Sequence, residues 1–218
     1  MAKVSTQYVC SHCGAKAPQM IGRCPVCGEW GTYEEELSTS FAPKKGGVTL
    51  RRGTAAMRLQ DVEAKEEMRR DMRCGEVNRV LGGGLVPGSL VLLGGEPGIG
   101  KSTLVLQTVL RMKGRRVLYV SGEESARQIK LRADRLQTAS GGSELLVLCE
   151  TCLEQVFERI EETQPHLVVM DSIQTMQTES VESSPGSLSQ IRECAASLLK
   201  YAKGGGVSII LIGHINKE

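Results

Sequence analysis

The chain has 218 residues and a formal net charge of +2, which allows one sizeable domain with a small satellite and excludes a strong overall basic field for nucleic acid. One Trp, four Tyr and two Phe argue against a base-stacking platform of several aromatic side chains. No apolar run is long enough to cross a bilayer and the N-terminus lacks a secretory core, so we expect a soluble, cytoplasmic protein without membrane contact.

Residues 1–34 are predicted to form a four-cysteine zinc ribbon. Two CxxC pairs offer four thiolates, the ligand set of a closed tetrahedral zinc site. These ligands are Cys10, Cys13, Cys24 and Cys27. Gly14 and Gly28 directly follow the second Cys of each pair, where tight turns need conformational freedom. A unit this short needs the metal in order to fold, so we expect a structural zinc ion. With four thiolates available, His12 is not expected to be a ligand.

Residues 35–56 are small, polar and basic, and they predict a flexible linker. Its cations offer contacts to a phosphate backbone, although a solvated linker is the simpler interpretation. These cations are Lys44, Lys45, Arg51 and Arg52. The segment 57–218 that follows predicts an α/β core with a mostly parallel sheet flanked by helices.

A glycine loop carries the strongest signal for function. Residues 94–103 read Gly-Gly-Glu-Pro-Gly-Ile-Gly-Lys-Ser-Thr, between an apolar run at 89–93 and a helical pattern at 103–111. Strand, glycine loop and helix predict a P-loop, whose backbone N–H groups and helix N-terminus bind phosphate. Lys101 is expected to reach the β- and γ-phosphates of ATP, and Ser102 to bind Mg²⁺. The nucleotide-binding candidates are Gly95, Glu96, Pro97, Gly98, Ile99, Gly100, Lys101, Ser102 and Thr103. The alternative is a glycine-rich turn with no ligand.

Four more apolar runs predict strands, at residues 116–120, 144–148, 166–171 and 207–213. Asp171 ends the third run in a Walker B pattern, whose carboxylate holds Mg²⁺ through its water shell. Glu123 and Glu124 follow the first run, at the end where open α/β sheets bind ligands. One of them can activate the attacking water; the alternative is a helix start, which favours acids. We interpret the lone pair Cys149 and Cys152 as structural.

Motifs spread over the whole chain form one combined pattern. They are the ribbon of residues 10–27 with Trp30, Arg79 to Ser89, Gly94 to Thr103, Tyr119 to Ser125, Asp171 to Thr175, Pro185-Gly186 with Gln190 to Cys194, and Gly213-His214 with Lys217-Glu218. In this combination the chain resembles the N-terminal half of the bacterial RadA (Sms) family of RecA-related DNA-repair ATPases. The resemblance implies a RecA-like P-loop core behind a zinc ribbon.

The resemblance also implies an activity: a DNA-dependent ATPase motor that binds single-stranded and branched DNA. Such proteins promote branch migration of recombination intermediates made by the RecA recombinase. In RecA-like cores the position of Glu123 polarises the attacking water, so Glu123 and Lys101 are the catalytic candidates. Residues 174–190 and the segment from His214 correspond to two DNA-facing loops. The alternatives are a RecA-like signalling ATPase that acts through protein contacts, and a P-loop kinase.

The chain departs from the family pattern in two ways. Met72-Arg73 and Asn78 replace the usual Thr-Gly and Asp, outside the phosphate site, so we expect only local packing to differ. Family members also continue through a Lys-Asn-Arg-Phe-Gly motif, whose cations act across the subunit interface, and a domain that helps to form a hexameric ring. The resemblance therefore predicts that this chain is a fragment of a hexameric protein.

Overall fold

The computed structural model describes residues 4–12, 14–39, 58–61, 69–136 and 142–215. Cys13 and most of the predicted linker lie outside these residues. A three-stranded antiparallel sheet forms the N-terminal ribbon, in the order β2-β1-β3. Its strands are β1 (Val4–Cys10), β2 (Lys16–Ala17) and β3 (Tyr33–Thr39). Because β3 pairs with β1 as far as Thr39, the ribbon extends beyond the boundary predicted at residue 34.

A five-stranded sheet forms the core, and every neighbouring pair in it is parallel. Its order is β4-β8-β7-β5-β6. The strands are β4 (Leu90–Gly95), β5 (Arg116–Ser121), β6 (Glu144–Cys149), β7 (Leu167–Asp171) and β8 (Ser208–His214). The carboxyl ends of all five strands therefore meet at one edge, where α/β sheets bind ligands. The predicted α/β fold class is confirmed.

Helices alternate with these strands. They are α1 (Gly75–Val80), α2 (Lys101–Leu110), α3 (Ala126–Arg135), α4 (Leu153–Thr163) and α5 (Leu188–Gly205). A capping box of Ser125 and Gln128 begins α3, and the Ser187 side chain accepts a hydrogen bond from Gln190 N at the start of α5. Among the described residues, no helix combines the length and apolarity needed to cross a bilayer.

Two apolar clusters cover the two faces of the sheet. Leu118 and Val120 of β5 face α4 and α5, whereas Val117 and Tyr119 face α2 and α3. This alternation follows from the two-residue period of a strand. All five residues of β7 are buried, as expected for a parallel strand with helices on both sides. The sheet is therefore held rigidly on both faces, which fixes the positions of the residues at its carboxyl edge.

Candidate functional site

The glycine loop joins β4 to α2 and lies open to solvent from residue 96 to residue 100. Gly98 and Gly100 adopt left-handed φ angles of 78° and 98°, which glycine adopts at little cost. A Cβ atom at either position would meet nothing within 4 Å, so the space beside the loop is open. No side chain caps the N-terminus of α2. Its first N–H groups are thus available to an anion, and the loop fits a phosphate group.

Lys101 begins α2 at the base of this loop and is only 7% exposed. Its ammonium group donates hydrogen bonds to Gly95 O and Glu96 O, both at 2.8 Å. Lys101 Nζ also lies 3.2 Å from His214 Nδ1, at the end of β8. The structure thus places the predicted phosphate-binding cation beside the predicted phosphate-binding backbone.

Ser102 and Asp171 form the predicted magnesium pair. Ser102 Oγ donates to Asp171 Oδ1 at 3.0 Å, which joins the start of α2 to the end of β7. Two hard oxygen ligands beside a phosphate loop suit Mg²⁺, which keeps several waters and binds few protein groups. The donor set therefore fits the cofactor that the sequence predicts.

Tyr119 also contacts this pair, and no motif in the sequence predicts that contact. Tyr119 Oη donates to Asp171 Oδ2 at 2.5 Å. Burial, followed by the neighbouring Asp171 carboxylate, raises the pKa of the Tyr119 phenol well above its usual range, so the phenol remains a donor. Ser121 lies opposite Asp171 in the pairing of β5 with β7, and Tyr119 lies two residues earlier on the same face. Tyr119 can be recognised as a neighbour of Asp171 only from the strand register, which cannot be read from the sequence alone.

Glu123 follows β5, and its side chain is 50% exposed. Ser172 Oγ donates to Glu123 Oε1 at 2.7 Å, and His214 Nε2 lies 3.7 Å from the same oxygen. His214 therefore lies between Lys101 and Glu123. Neither Ser172 nor His214 is predicted as a nucleotide-site residue from the sequence, although Ser172 directly follows β7 and His214 ends β8.

Glu124 points in a different direction from Glu123. Its carboxylate pairs with Arg132 of α3, and its backbone N–H donates to Ser121 Oγ at 3.0 Å. The two adjacent acids are thus separated: one contacts the residues around the glycine loop, and the other holds α3 against β5.

The ribbon brings three of the predicted zinc ligands together. The sulfur atoms of Cys10, Cys24 and Cys27 all lie within 4.8 Å of one another, and Cys10 Sγ is 3.7 Å from Cys27 Sγ. Four thiolates around zinc at about 2.3 Å place their sulfurs about 3.8 Å apart, so these residues fit the metal. The fourth predicted ligand, Cys13, lies outside the described residues, and His12 is exposed.

Cys149 and Cys152 lie elsewhere, at the carboxyl edge of the core. Cys149 Sγ donates to Glu124 O at 3.4 Å, and Cys152 Sγ donates to Glu154 Oε2 at 3.2 Å. Burial raises the pKa of the Cys152 thiol, which disfavours the thiolate that metal binding needs. Neither thiol belongs to the metal-ligand cluster found among the described residues.

Comparison with known proteins agrees with both halves of this architecture. A family model described as "AAA domain" matches residues 55–218, and one described as "Rubredoxin metal binding domain" matches residues 8–35. The protein named "DNA repair protein RadA" from Bacillus subtilis is 46% identical over 224 residues, covering 100% of this chain and 48% of the relative. Proteins of the same name from Pseudomonas aeruginosa and Synechocystis are 44% and 40% identical, again covering 100% of this chain and 48% and 49% of the relatives.

The resemblance found in the sequence is therefore confirmed. The chain spans about half the length of the curated relatives that it matches. It belongs to the AAA-domain family, and its whole length is similar to the bacterial DNA repair proteins named RadA.

Proposed function

We propose that this chain is the ATP-binding and ATP-hydrolysing part of a DNA-repair motor. One observation carries the proposal: an ammonium group, a hydroxyl–carboxylate pair and a second carboxylate converge at one edge of the parallel sheet. These groups belong to Lys101, Ser102 with Asp171, and Glu123. The AAA-domain match and the names of the relatives support the same interpretation.

ATP would bind along residues 95–103. The N–H groups of the glycine loop and of the first turn of α2 would hold the phosphate oxygens. The Lys101 ammonium group would exchange the carbonyls of Gly95 and Glu96 for phosphate oxygens, which form stronger, charge-assisted hydrogen bonds. Ser102 and Asp171 would hold Mg²⁺, which neutralises charge on the phosphates when it is bound.

Hydrolysis would depend on Glu123. Its carboxylate would orient a water molecule toward the γ-phosphate and accept its proton, leaving ADP and inorganic phosphate. Ser172 Oγ and His214 both contact Oε1 of Glu123, so they would hold the carboxylate in position. Glu124 would keep its partner Arg132 and take no part in the reaction.

We further propose that the motor acts on single-stranded and branched DNA and drives branch migration of intermediates made by RecA, as a hexamer. These proposals rest on the family resemblance. One contact supports coupling between DNA and nucleotide: Gln174 Nε2, at the start of the first candidate DNA loop, donates to His214 O at 3.0 Å. His214 begins the second candidate loop and contacts both Lys101 and Glu123. Movement of either loop would thus reach the ATP site directly.

Calorimetric titration with ATP, with and without Mg²⁺, tests the nucleotide site in this chain. ATPase assays with and without single-stranded DNA, in a protein of the relatives' full length, test the motor. DNA-stimulated release of phosphate supports the proposal and separates it from a kinase, which needs an acceptor, and from a signalling ATPase that ignores DNA. The absence of ATP binding at every Mg²⁺ concentration would contradict the proposal.

A further inference from the structure

The side chain of Tyr119 has a fixed position inside the core. It is 1% exposed, and it belongs to the apolar cluster that fills the space between the sheet and helices α2 and α3. Its backbone lies in the middle of β5, opposite Val169 of β7. Packing on all sides leaves the ring little rotational freedom, so the phenolic oxygen is held at a defined point below the carboxyl edge of the sheet.

That oxygen meets one of the two proposed magnesium ligands. Tyr119 Oη donates to Asp171 Oδ2 at 2.5 Å, while Ser102 Oγ donates to the other oxygen of the same carboxylate at 3.0 Å. The terminal torsion of an aspartate side chain is broad when nothing restrains it. Two donors on opposite oxygens remove that freedom and aim Oδ1 at Ser102.

A second tyrosine–carboxylate pair provides a comparison for the Tyr119 contact, because its role is purely structural. Tyr201 Oη donates to Glu161 Oε1, far from the glycine loop in sequence and on the opposite face of the sheet, where Tyr201 of α5 stacks on Phe157 of α4. No proposed ligand is involved there. The Tyr119 contact differs because its acceptor is itself bonded to Ser102.

We propose that Tyr119 is a positioning residue for magnesium: it orients the Asp171 carboxylate so that Asp171 and Ser102 bind the ion together. The proposal rests on the proposed function, since it assumes that Asp171 and Ser102 hold Mg²⁺ with ATP. Partners that orient metal ligands in this way typically change metal affinity about 10- to 100-fold when they are removed.

The test is Tyr119→Phe in the 218-residue chain, because this change removes one hydroxyl group and keeps the ring. The affinity for the non-hydrolysable analogue AMP-PNP is measured by calorimetry in EDTA and across a Mg²⁺ titration. We expect that the Mg²⁺ concentration at which half of the gain in AMP-PNP affinity is reached will rise about 10-fold or more. The AMP-PNP affinity measured in EDTA should stay unchanged. A residue that merely stabilises the core would lower thermal stability without changing the Mg²⁺ dependence.

Two controls make the result specific. Tyr201→Phe removes the matched surface contact and should leave the Mg²⁺ dependence as in the unmodified chain. In an Asp171→Asn background, Tyr119→Phe should add no further change, because the residue acts through that carboxylate.

Labelling the unmodified chain with 3-fluorotyrosine gives a second measurement, which applies even where Tyr119→Phe fails to fold. The fluorine resonance that moves in Asp171→Asn should also move when Mg²⁺ is added to the AMP-PNP complex. If Asp171→Asn and the added Mg²⁺ move different resonances, the proposal is overturned. A folded Tyr119→Phe variant with the same Mg²⁺ dependence as the unmodified chain would also overturn it. Failure of the unmodified chain to bind AMP-PNP at all would instead contradict the proposed function.

Discussion

At the scale of single residues, Lys101 shows how the loop and its cation depend on each other. The ammonium group is nearly buried and donates to two carbonyl oxygens of the loop that it serves. A buried charge needs hydrogen-bond partners, and those carbonyls provide them. Phosphate oxygens are stronger acceptors, so a nucleotide would displace the carbonyls without leaving the cation unpartnered.

We expect Lys101→Ala to lower ATP affinity about 10- to 100-fold, since a hydrogen bond to a charged group contributes about 1.5–3 kcal/mol. Calorimetry with Mg²⁺ present measures the loss. Lys113→Ala, at an exposed lysine just after α2, is the matched control and should bind normally. Unchanged affinity in Lys101→Ala would rule out the proposed phosphate site.

Glu123 and its neighbour form a natural pair of test sites. In a protein of the relatives' full length, Glu123→Gln should keep ATP affinity and lose about 10²- to 10⁴-fold in turnover, because an amide cannot accept the proton of the attacking water. Steady-state phosphate release and nucleotide binding, measured on the same preparation, separate the two effects.

Glu124→Gln is the control for this pair. It weakens the contact with Arg132, so it should lower stability while turnover continues. If Glu124→Gln abolishes turnover and Glu123→Gln does not, the catalytic assignment is wrong by one residue.

At the scale of elements, we expect the ribbon to depend on zinc because its apolar core is so small. Only Cys10, Ala17, Cys24 and Tyr33 form its buried cluster among the described residues, and two of them are predicted zinc ligands. We expect Cys10→Ser and Cys24→Ser to remove most of the zinc found by elemental analysis and to unfold the ribbon. Cys149→Ser should retain the metal; loss of zinc from that variant would show that the core cysteines bind it.

The turn that carries Glu123 requires glycine for reasons of space. A Cβ atom built at Gly122 would lie 2.2 Å from Thr175 Oγ1 and 2.6 Å from Thr175 Cβ. We expect Gly122→Ala to lower the free energy of unfolding by about 1–3 kcal/mol, because the close contact forces backbone shifts. Urea denaturation measures this change.

Gly204→Ala provides the comparison for Gly122→Ala. Gly204 lies in the last turn of α5, and a Cβ atom there would meet nothing within 4 Å. Alanine is the better helix former, so stability should stay the same or rise slightly. Equal destabilisation by the two substitutions would mean that the contact with Thr175 has no particular effect.

The sequence predicted most elements of the core because their signals are local. Each core strand is a short apolar run, and the glycine loop is recognisable from its own residues and flanks. The helix α1 was not predicted: it has only six residues and no buried position, so no apolar stripe marks it. The end of β3 was also missed, since Glu34 to Thr39 form a strand by pairing with β1 and carry a polar, linker-like composition.

The site could be predicted only in part for a related reason. Lys101, Ser102 and Asp171 lie in motifs whose chemistry is readable from spacing. Tyr119 and His214 contact those residues only because β5 lies beside β7 and β8 lies beside β4. Strand order is a property of the tertiary fold, so neither contact has a local signature in the chain.

At the scale of the whole molecule, the family resemblance implies that the cations completing a RecA-like site would come from a neighbouring subunit. We therefore expect the 218-residue chain to bind ATP but to hydrolyse it slowly, with little stimulation by DNA; cations supplied from a neighbour contribute about 10³- to 10⁵-fold in comparable sites. The measurement is steady-state ATPase of this chain beside full-length RadA from Bacillus subtilis, both with single-stranded DNA. Equal turnover would show that these 218 residues contain a complete catalytic site.

The pairing of β4 with β8 has a consequence for synthesis on the ribosome. Among the described strands, β4 lies at the edge of the sheet and pairs with β8 alone, with Leu90 opposite Ile209 and Gly95 opposite His214. More than half of the chain separates these partners. At a translation rate of about 5–20 residues per second, β8 is synthesised on the order of ten seconds after β4. During that interval an apolar strand stays unpaired, which is a hazard for aggregation. The strand before the glycine loop therefore gains its neighbour β8 only after Ser208–His214 have been synthesised.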